Sequence, residues 1–273
     1  VNGSHMNEPA YDTGTHPAFY RYYEHESRGA AARQRFGSIK QTLERMLGCA
    51  GRRLAVADVG CGAGTQACIW AADGHAVYGA DLNAALIELA RERAGAAGLD
   101  IDFAVASATA LPWPDASMDV CIAPELLEHV PDWEGCVAEL VRVLRPGGAL
   151  YISTSNRLCP RQEEFVLPAY SWYPAWIKRR VVALACGARP ELAGYALYPA
   201  VHWFSFYQLR DHLAALGLRS HDRFDLIDFA AQGRCGRWAV GLVRRFAWLR
   251  WLGHVLTPYT VVLALKPPAP AGS

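Results

Sequence analysis

The chain has 273 residues, a formal net charge of +1 and 52% hydrophobic residues. That length buries a full core in one large domain, or in one domain carrying an insertion. The neutral balance argues against a dedicated nucleic-acid binder with a basic face, and no apolar run reaches the ~18 residues of a membrane span. The opening VNGSHM reads as vector-derived, which makes Met6 the expected native start. Eight cysteines, none in a C-x-x-C pair, mostly sit in apolar segments. They read as reduced thiols of a cytoplasmic protein.

In chain order, HPAFYRYYEHESRG (16–29) is rich in aromatic and charged residues and suggests a cover over residues 7–52 that ends in a helix. In 33–47, Phe36, Ile39, Leu43, Met46 and Leu47 recur at steps of three and four, which predicts an amphipathic helix. RRLAVADVG reads as a buried strand, TQACIWAADG as a helix ended by Gly74, and HAVYGAD as a second strand. Asn83 caps a helix that exits at Gly98. IDFAVAS and MDVCIAP are further strands, DWEGCVAELVRVLRPGG is a helix stopped at Pro146, and ALYISTS is a fifth strand. Strands alternating with helices over 53–156 predict a doubly wound, Rossmann-like, mostly parallel α/β sheet, expected to have seven strands with helices on both faces. The rhythm is lost over 157–204, where Pro, Trp and Tyr crowd together. This segment reads as an α-rich insertion, or lid, on the acceptor side. Residues 205–267 complete the core with the helix SFYQLRDHLAALG and the strands LRSHDRFDLI and YTVVLALK, and 268–273 form a tail.

The stretch Asp58–Gly64 places Gly60, Gly62 and Gly64 directly after the first strand. Glycines there allow positive φ and close approach of a ligand to backbone. The spacing is G-x-G-x-G rather than G-x-G-x-x-G, and Asp58 lies two residues ahead. An acid at that place suits a cationic amine better than a pyrophosphate. Asp81, which ends the second strand 21 residues after Gly60, stands where a carboxylate holds ribose hydroxyls. A ligand with an amine and a ribose but no phosphate is S-adenosylmethionine.

DVGCGAG, the acid of YGADL, SATALPWPDASMDVCIAPELLEHV and VLRPGGALYISTSNR resemble, in order over 53–156, the motifs of class I S-adenosylmethionine-dependent methyltransferases. The nearest pattern is the ubiquinone-biosynthesis O-methyltransferase-like group. The resemblance implies that Asp58, Gly60, Cys61, Gly62 and Gly64 cradle the methionine part and that Asp81 takes the ribose. It places Leu82, Ala108 and Thr109 at the adenine, where Ser107 replaces the Asp of many relatives, and Ala123 at the sulfonium. Arg35 would reach the methionine carboxylate. The implied partner is a small-molecule acceptor, aromatic or lipid-like, methylated on oxygen or nitrogen.

In PELLEHVPD, a helical reading puts Glu125 within one turn of Glu128 or His129. His129 is the candidate general base, with Glu128 and Glu125 beside it. The same trio could hold magnesium, as it does in the ubiquinone-type and small-RNA 2′-O-methyltransferases, or could simply be structural. RNA 2′-O-methylation is the alternative activity, and a non-catalytic cofactor binder the alternative class. Aromatic residues beside Lys178, Arg179 and Arg180 suggest an apolar acceptor pocket, a peripheral membrane contact or a small lid core. FAWLRWLGHVL is a second Trp-rich stretch of the same kind, and His202 reads as a packed residue.

Overall fold

A computed structural model describes residues 27, 29–49, 51–162, 165, 167–193 and 199–269. The expected vector-derived opening and nearly all of the aromatic N-terminal segment lie outside the described residues. The chain builds α1 (Ala30–Leu47), β1 (Ala55–Val59), α2 (Thr65–Ala72), β2 (Ala76–Asp81), α3 (Ala84–Ala96), β3 (Ile101–Val105), β4 (Met118–Pro124), α4 (Trp133–Val143) and β5 (Leu144–Ser155). After the insertion, which contains α5 (Ala175–Ala185), come α6 (Phe206–Ala215), β6 (Arg219–Asp222), α7 (Arg234–Arg245), α8 (Ala247–Val255) and β7 (Tyr259–Leu265).

One sheet has the order β3-β2-β1-β4-β5-β7-β6, parallel through β5 and antiparallel at β7 and β6. Alternate residues of its strands feed two cores, as the two-residue strand period requires. Ala57, Val59, Cys121, Ala123, Leu150 and Ile152 face Val137, Leu140, Phe206 and Leu209 of α4 and α6. Val56, Val120, Ile122 and Tyr151 face Leu43, Trp70 and Ile87 of α1, α2 and α3. Because β1 and β4 are neighbours and the chain winds outward from them in opposite directions, the crevice at their carboxyl ends is the topological switch point, where such sheets bind ligands.

The insertion has a small core of its own. Tyr170 is fully buried there, stacked on Phe165 at 4.1 Å and edge-on to Trp203 at 5.4 Å. Four local expectations are corrected. The helix after Asp132 ends at Val143, and Leu144 already opens β5, since a residue before proline, here Arg145, is disfavoured in the α region. The sixth strand stops at Asp222, whose Oδ1 accepts the N–H groups of Phe224 and Asp225 and turns the chain. Two helices, α7 and α8, occupy a stretch that the sequence reading left unassigned apart from its tryptophans. Finally, PELLEHV is a pair of tight turns rather than a helix.

Candidate active site

The glycine turn is fastened to the end of β2. Gly60 and Cys61 donate their N–H groups to the Ala80 carbonyl at 2.8 and 3.1 Å. Gly60 and Gly64 hold φ at +72° and +74°, where side chains are strained. A Cβ on Gly60 would sit 2.9 Å from Leu126 Cδ1, and one on Gly64 would sit 2.9 Å from Phe103 Cζ. The turn thus owes its shape to glycine on both counts, and Gly64 leads directly into α2.

Asp81 braces the turn from the other side. Its Oδ2 accepts Gly62 N–H at 2.8 Å and its Oδ1 accepts Asn83 N–H at 2.9 Å, while Asn83 itself caps α3. Each carboxylate oxygen keeps a lone pair for a hydroxyl donor. Burial pushes the Asp81 carboxyl up, against the backbone hydrogen bonds that hold it ionised. Asp58 is 1% exposed, and its Oδ2 is buried with no hydrogen-bond partner. Burial raises its carboxyl to about 7, eased by the Ala67 backbone and reinforced by the nearby Asp81 charge. A carboxylate that is desolvated and unsatisfied is costly unless a cation completes it. This orphaned oxygen, one turn from the glycines, is what the ammonium of S-adenosylmethionine would satisfy, so the residues present fit that cofactor.

The remaining residues expected at the cofactor divide. Leu82 is exposed at the end of β2. The Cys61 thiol is pushed well up by burial and by the Asp58 and Asp81 charges, so it is a neutral lining group. Ser107 spends its hydroxyl on Thr109, at 2.8 Å to Oγ1 and 3.2 Å from the backbone N–H, which shapes the Ala108–Thr109 turn. Ala123 is fully buried inside β4. Arg35 reaches across from α1 to pair with Glu125 Oε1 at 2.8 Å, at the mouth of the crevice.

On the acceptor side, Glu125 follows β4 with φ +53° and donates its N–H to Ser153 O at 2.7 Å. Two turns follow, His129 N–H to Leu126 O and Val130 N–H to Leu127 O. The left-handed residue at the start, fully buried Leu127 and the Val130–Pro131 step keep this segment from continuing as a helix. Glu128 is 2% exposed and turned towards β5, accepting from Thr154 Oγ1 at 2.7 Å and Ser155 N–H at 3.2 Å. Burial pushes its carboxyl up, against the His129 charge and the Thr154 hydrogen bond. The three candidates therefore do not converge on one point. Glu125 serves Arg35, Glu128 ties the turn to β5, and His129 keeps a buried Nδ1 without a partner. Among the described residues no three His, Cys, Asp or Glu side chains gather as a metal-ligand set, so the trio does not fit magnesium here.

Beyond this turn, Val201 and His202 donate their backbone N–H groups to the Glu128 carbonyl at 2.8 and 3.2 Å, docking the end of the insertion against it. His202 itself bonds Pro131 O through Nε2 at 3.1 Å, a packed role. Next to it lies a cavity of about 700 Å³ between the insertion and α8, with Arg157, Trp172, Lys178, Trp203 and Trp251 in its wall. Lys178 Nζ sits 4.0 Å from the Trp203 ring centroid and donates to Ser171 O at 2.7 Å. Burial and the Arg157 charge lower its pKa to about 8. Trp251 belongs to the Trp-rich stretch FAWLRWLGHVL, but its meeting with Arg157, 94 positions away, is made only by the fold.

Residues 57–152 match the family described as "Methyltransferase domain". This stretch is similar to class I methyltransferase domains. Its relatives include the methyltransferase GfsG of Streptomyces halstedii, 41% identical over 42% of this chain and 41% of the relative. A ubiquinone biosynthesis O-methyltransferase of Aromatoleum aromaticum is 38% identical over 42% of this chain and 49% of that protein. The match thus spans less than half the length of these curated relatives. The solved PH0226 protein of Pyrococcus horikoshii shares the fold, with a TM-score of 0.57 at 16% identity over 92% of this chain and 99% of its own. The insertion, α7 and α8 lie outside the matched stretch.

Proposed function

We propose that this chain is an S-adenosylmethionine-dependent methyltransferase acting on an oxygen or nitrogen of a small molecule bound beside the insertion. The observation that carries the reading is the unpartnered Asp58 carboxylate oxygen under the Gly60–Gly64 turn, with Asp81 braced opposite. Asp58 would hold the cofactor ammonium, Asp81 its ribose hydroxyls, and the Leu82 and Ala108–Thr109 surfaces the adenine. The bound cofactor supplies an activated methyl group.

This chain's residues then have three tasks. They bind and orient the acceptor, for which the cavity walled by Trp172, Trp203 and Trp251 offers aromatic surface. They exclude water, a role suited to the insertion packed over the turn after β4. They also take a proton where the acceptor is a hydroxyl; His129 is the candidate base, a reading supported by its unpartnered Nδ1 and by the turn that Glu128 fixes. Glu128 is a positioning residue in this scheme.

Calorimetric titration with S-adenosylmethionine and S-adenosylhomocysteine tests the reading. Wild-type protein is expected to bind both, and Asp81→Ala to bind about 10–100-fold more weakly, the loss expected for hydrogen bonds to a charged group. Equal affinities would remove Asp81 from the ribose. No binding by the wild type would overturn the cofactor assignment altogether.

A further inference from the structure

We propose that the helix pair α7–α8, inserted between β6 and β7, seats this protein on an anionic lipid surface. The pair leaves apolar rings facing outward that the fold does not cover. No residue of α7 is buried. Trp238 is 71% exposed, Trp248 64%, Trp251 50% and Leu256 71%, with Phe246 and Leu252 also open. Trp248, Trp251, Leu252 and Leu256 follow one another at helical steps of three, one and four, so they share one face of α8 and its exit.

The opposite face of α8 is bolted to the domain. Arg250 and His254, one turn apart, both bond the fully buried Asp222, at 2.6 and 2.9 Å. Asn156 Nδ2 donates to the His254 carbonyl at 2.7 Å, and Arg244 of α7 donates to the carbonyls of Phe224, Asp225 and Ile227. The outward tryptophans are therefore held by a rigid inner face rather than hung on a loose segment.

Charge identifies the occupant. From residue 229 to 256 there are five arginines and no aspartate or glutamate. Two of them, Arg244 and Arg250, are spent inward; Arg234, Arg237 and Arg245 are exposed and have no acidic partner among the described residues. Arginines mixed among tryptophans across the whole surface suit the headgroup region of an anionic bilayer, where the indole sits at the interface and the guanidinium meets phosphate. A protein partner would have to bring matching carboxylates to three arginines that have none, whereas an anionic bilayer presents phosphates over its whole surface. No helix among the described residues is long and apolar enough to cross a membrane, so the contact is peripheral.

The same face includes the cavity rim. Trp251 of α8 and Trp172 of the insertion both wall the cavity, and Trp172 and nearby Trp176 are 59% and 64% exposed. If the cavity holds the acceptor, as proposed above, the acceptor is an amphiphile that enters from the bilayer. This consequence rests on the methyltransferase reading; the docking does not.

The test is flotation of the full chain with phosphatidylcholine vesicles, with and without phosphatidylglycerol, while tryptophan emission is followed. Binding and a blue shift are expected only with phosphatidylglycerol, and both should fall with added salt. Arg234→Gln/Arg237→Gln/Arg245→Gln should lower partitioning about 100-fold, at roughly 1 kcal/mol per arginine. Trp248→Ser/Leu256→Ser should abolish the shift, with circular dichroism and S-adenosylhomocysteine titration checking that the fold is intact. Failure to bind vesicles, equal binding by the variants, or a dimer that the same substitutions dissolve would each overturn the docking. Loss of cofactor binding by the wild type would overturn only the methyltransferase reading.

Discussion

Asp58 carries the sharpest local consequence. Its carboxyl is raised from 3.8 to about 7, chiefly by burial. Between those values the folded protein holds a proton that the unfolded chain releases, so this residue's contribution to stability is fully present below pH ~4 and is lost as pH rises through about 7. The difference in unfolding midpoint between wild type and Asp58→Asn should vary across that window and flatten outside it. A bound ammonium favours the ionised form. S-adenosylhomocysteine binding at pH 6 should therefore release a proton, seen as a dependence of calorimetric heat on buffer ionisation enthalpy and absent in Asp58→Asn. His129 is tested by turnover. His129→Gln should lower kcat by about 100-fold or more with unchanged S-adenosylhomocysteine affinity. A normal kcat would leave its unpartnered Nδ1 without a catalytic role.

At the scale of elements, the join between β6 and α8 is held by a buried charge cluster. Burial alone would raise Asp222, yet the hydrogen bonds from His254 and Arg250 outweigh it and hold the carboxyl well below the usual range. Asp222→Ala would leave buried His254 without its carboxylate and Arg250 with Asp225 alone, and would also remove the acceptor that turns the chain at Phe224. A loss of about 3 kcal/mol is expected in urea unfolding, at the low end for a broken buried pair because Arg250 keeps partial solvent contact. Stability from this join persists at neutral pH and fades only as acid titrates Asp222 through its depressed folded pKa. The turn after β4 shows a different kind of element. Its residues looked helical by spacing, but a left-handed Glu125 and the inward pull of Leu127 and Glu128 made it two tight turns.

For the whole molecule, the sequence by itself determined the sheet and its ligand edge. Near-continuous burial along β1, β4 and β5, matching their unbroken apolar runs, helices with caps such as Asn83, and glycines after the first strand are all local signals, legible because runs, caps and turn residues are properties of neighbouring positions in the chain. The place of Asp58 just ahead of the glycine turn, and of Asp81 at the end of β2, was readable for the same reason. What only the tertiary structure decided are the meetings of distant residues. Glu128 could look like an acid at the site until Thr154 and Ser155 drew it inward, and the ion pair of Arg35 with Glu125, 90 positions away, is made only by the fold. The cavity joining Arg157 to Trp251, and the outward face of α7 and α8, follow from how the insertion and the β6–β7 segment pack. Periodicity marks an apolar stripe, but only the folded neighbours settle whether that stripe is covered by protein or left facing outward.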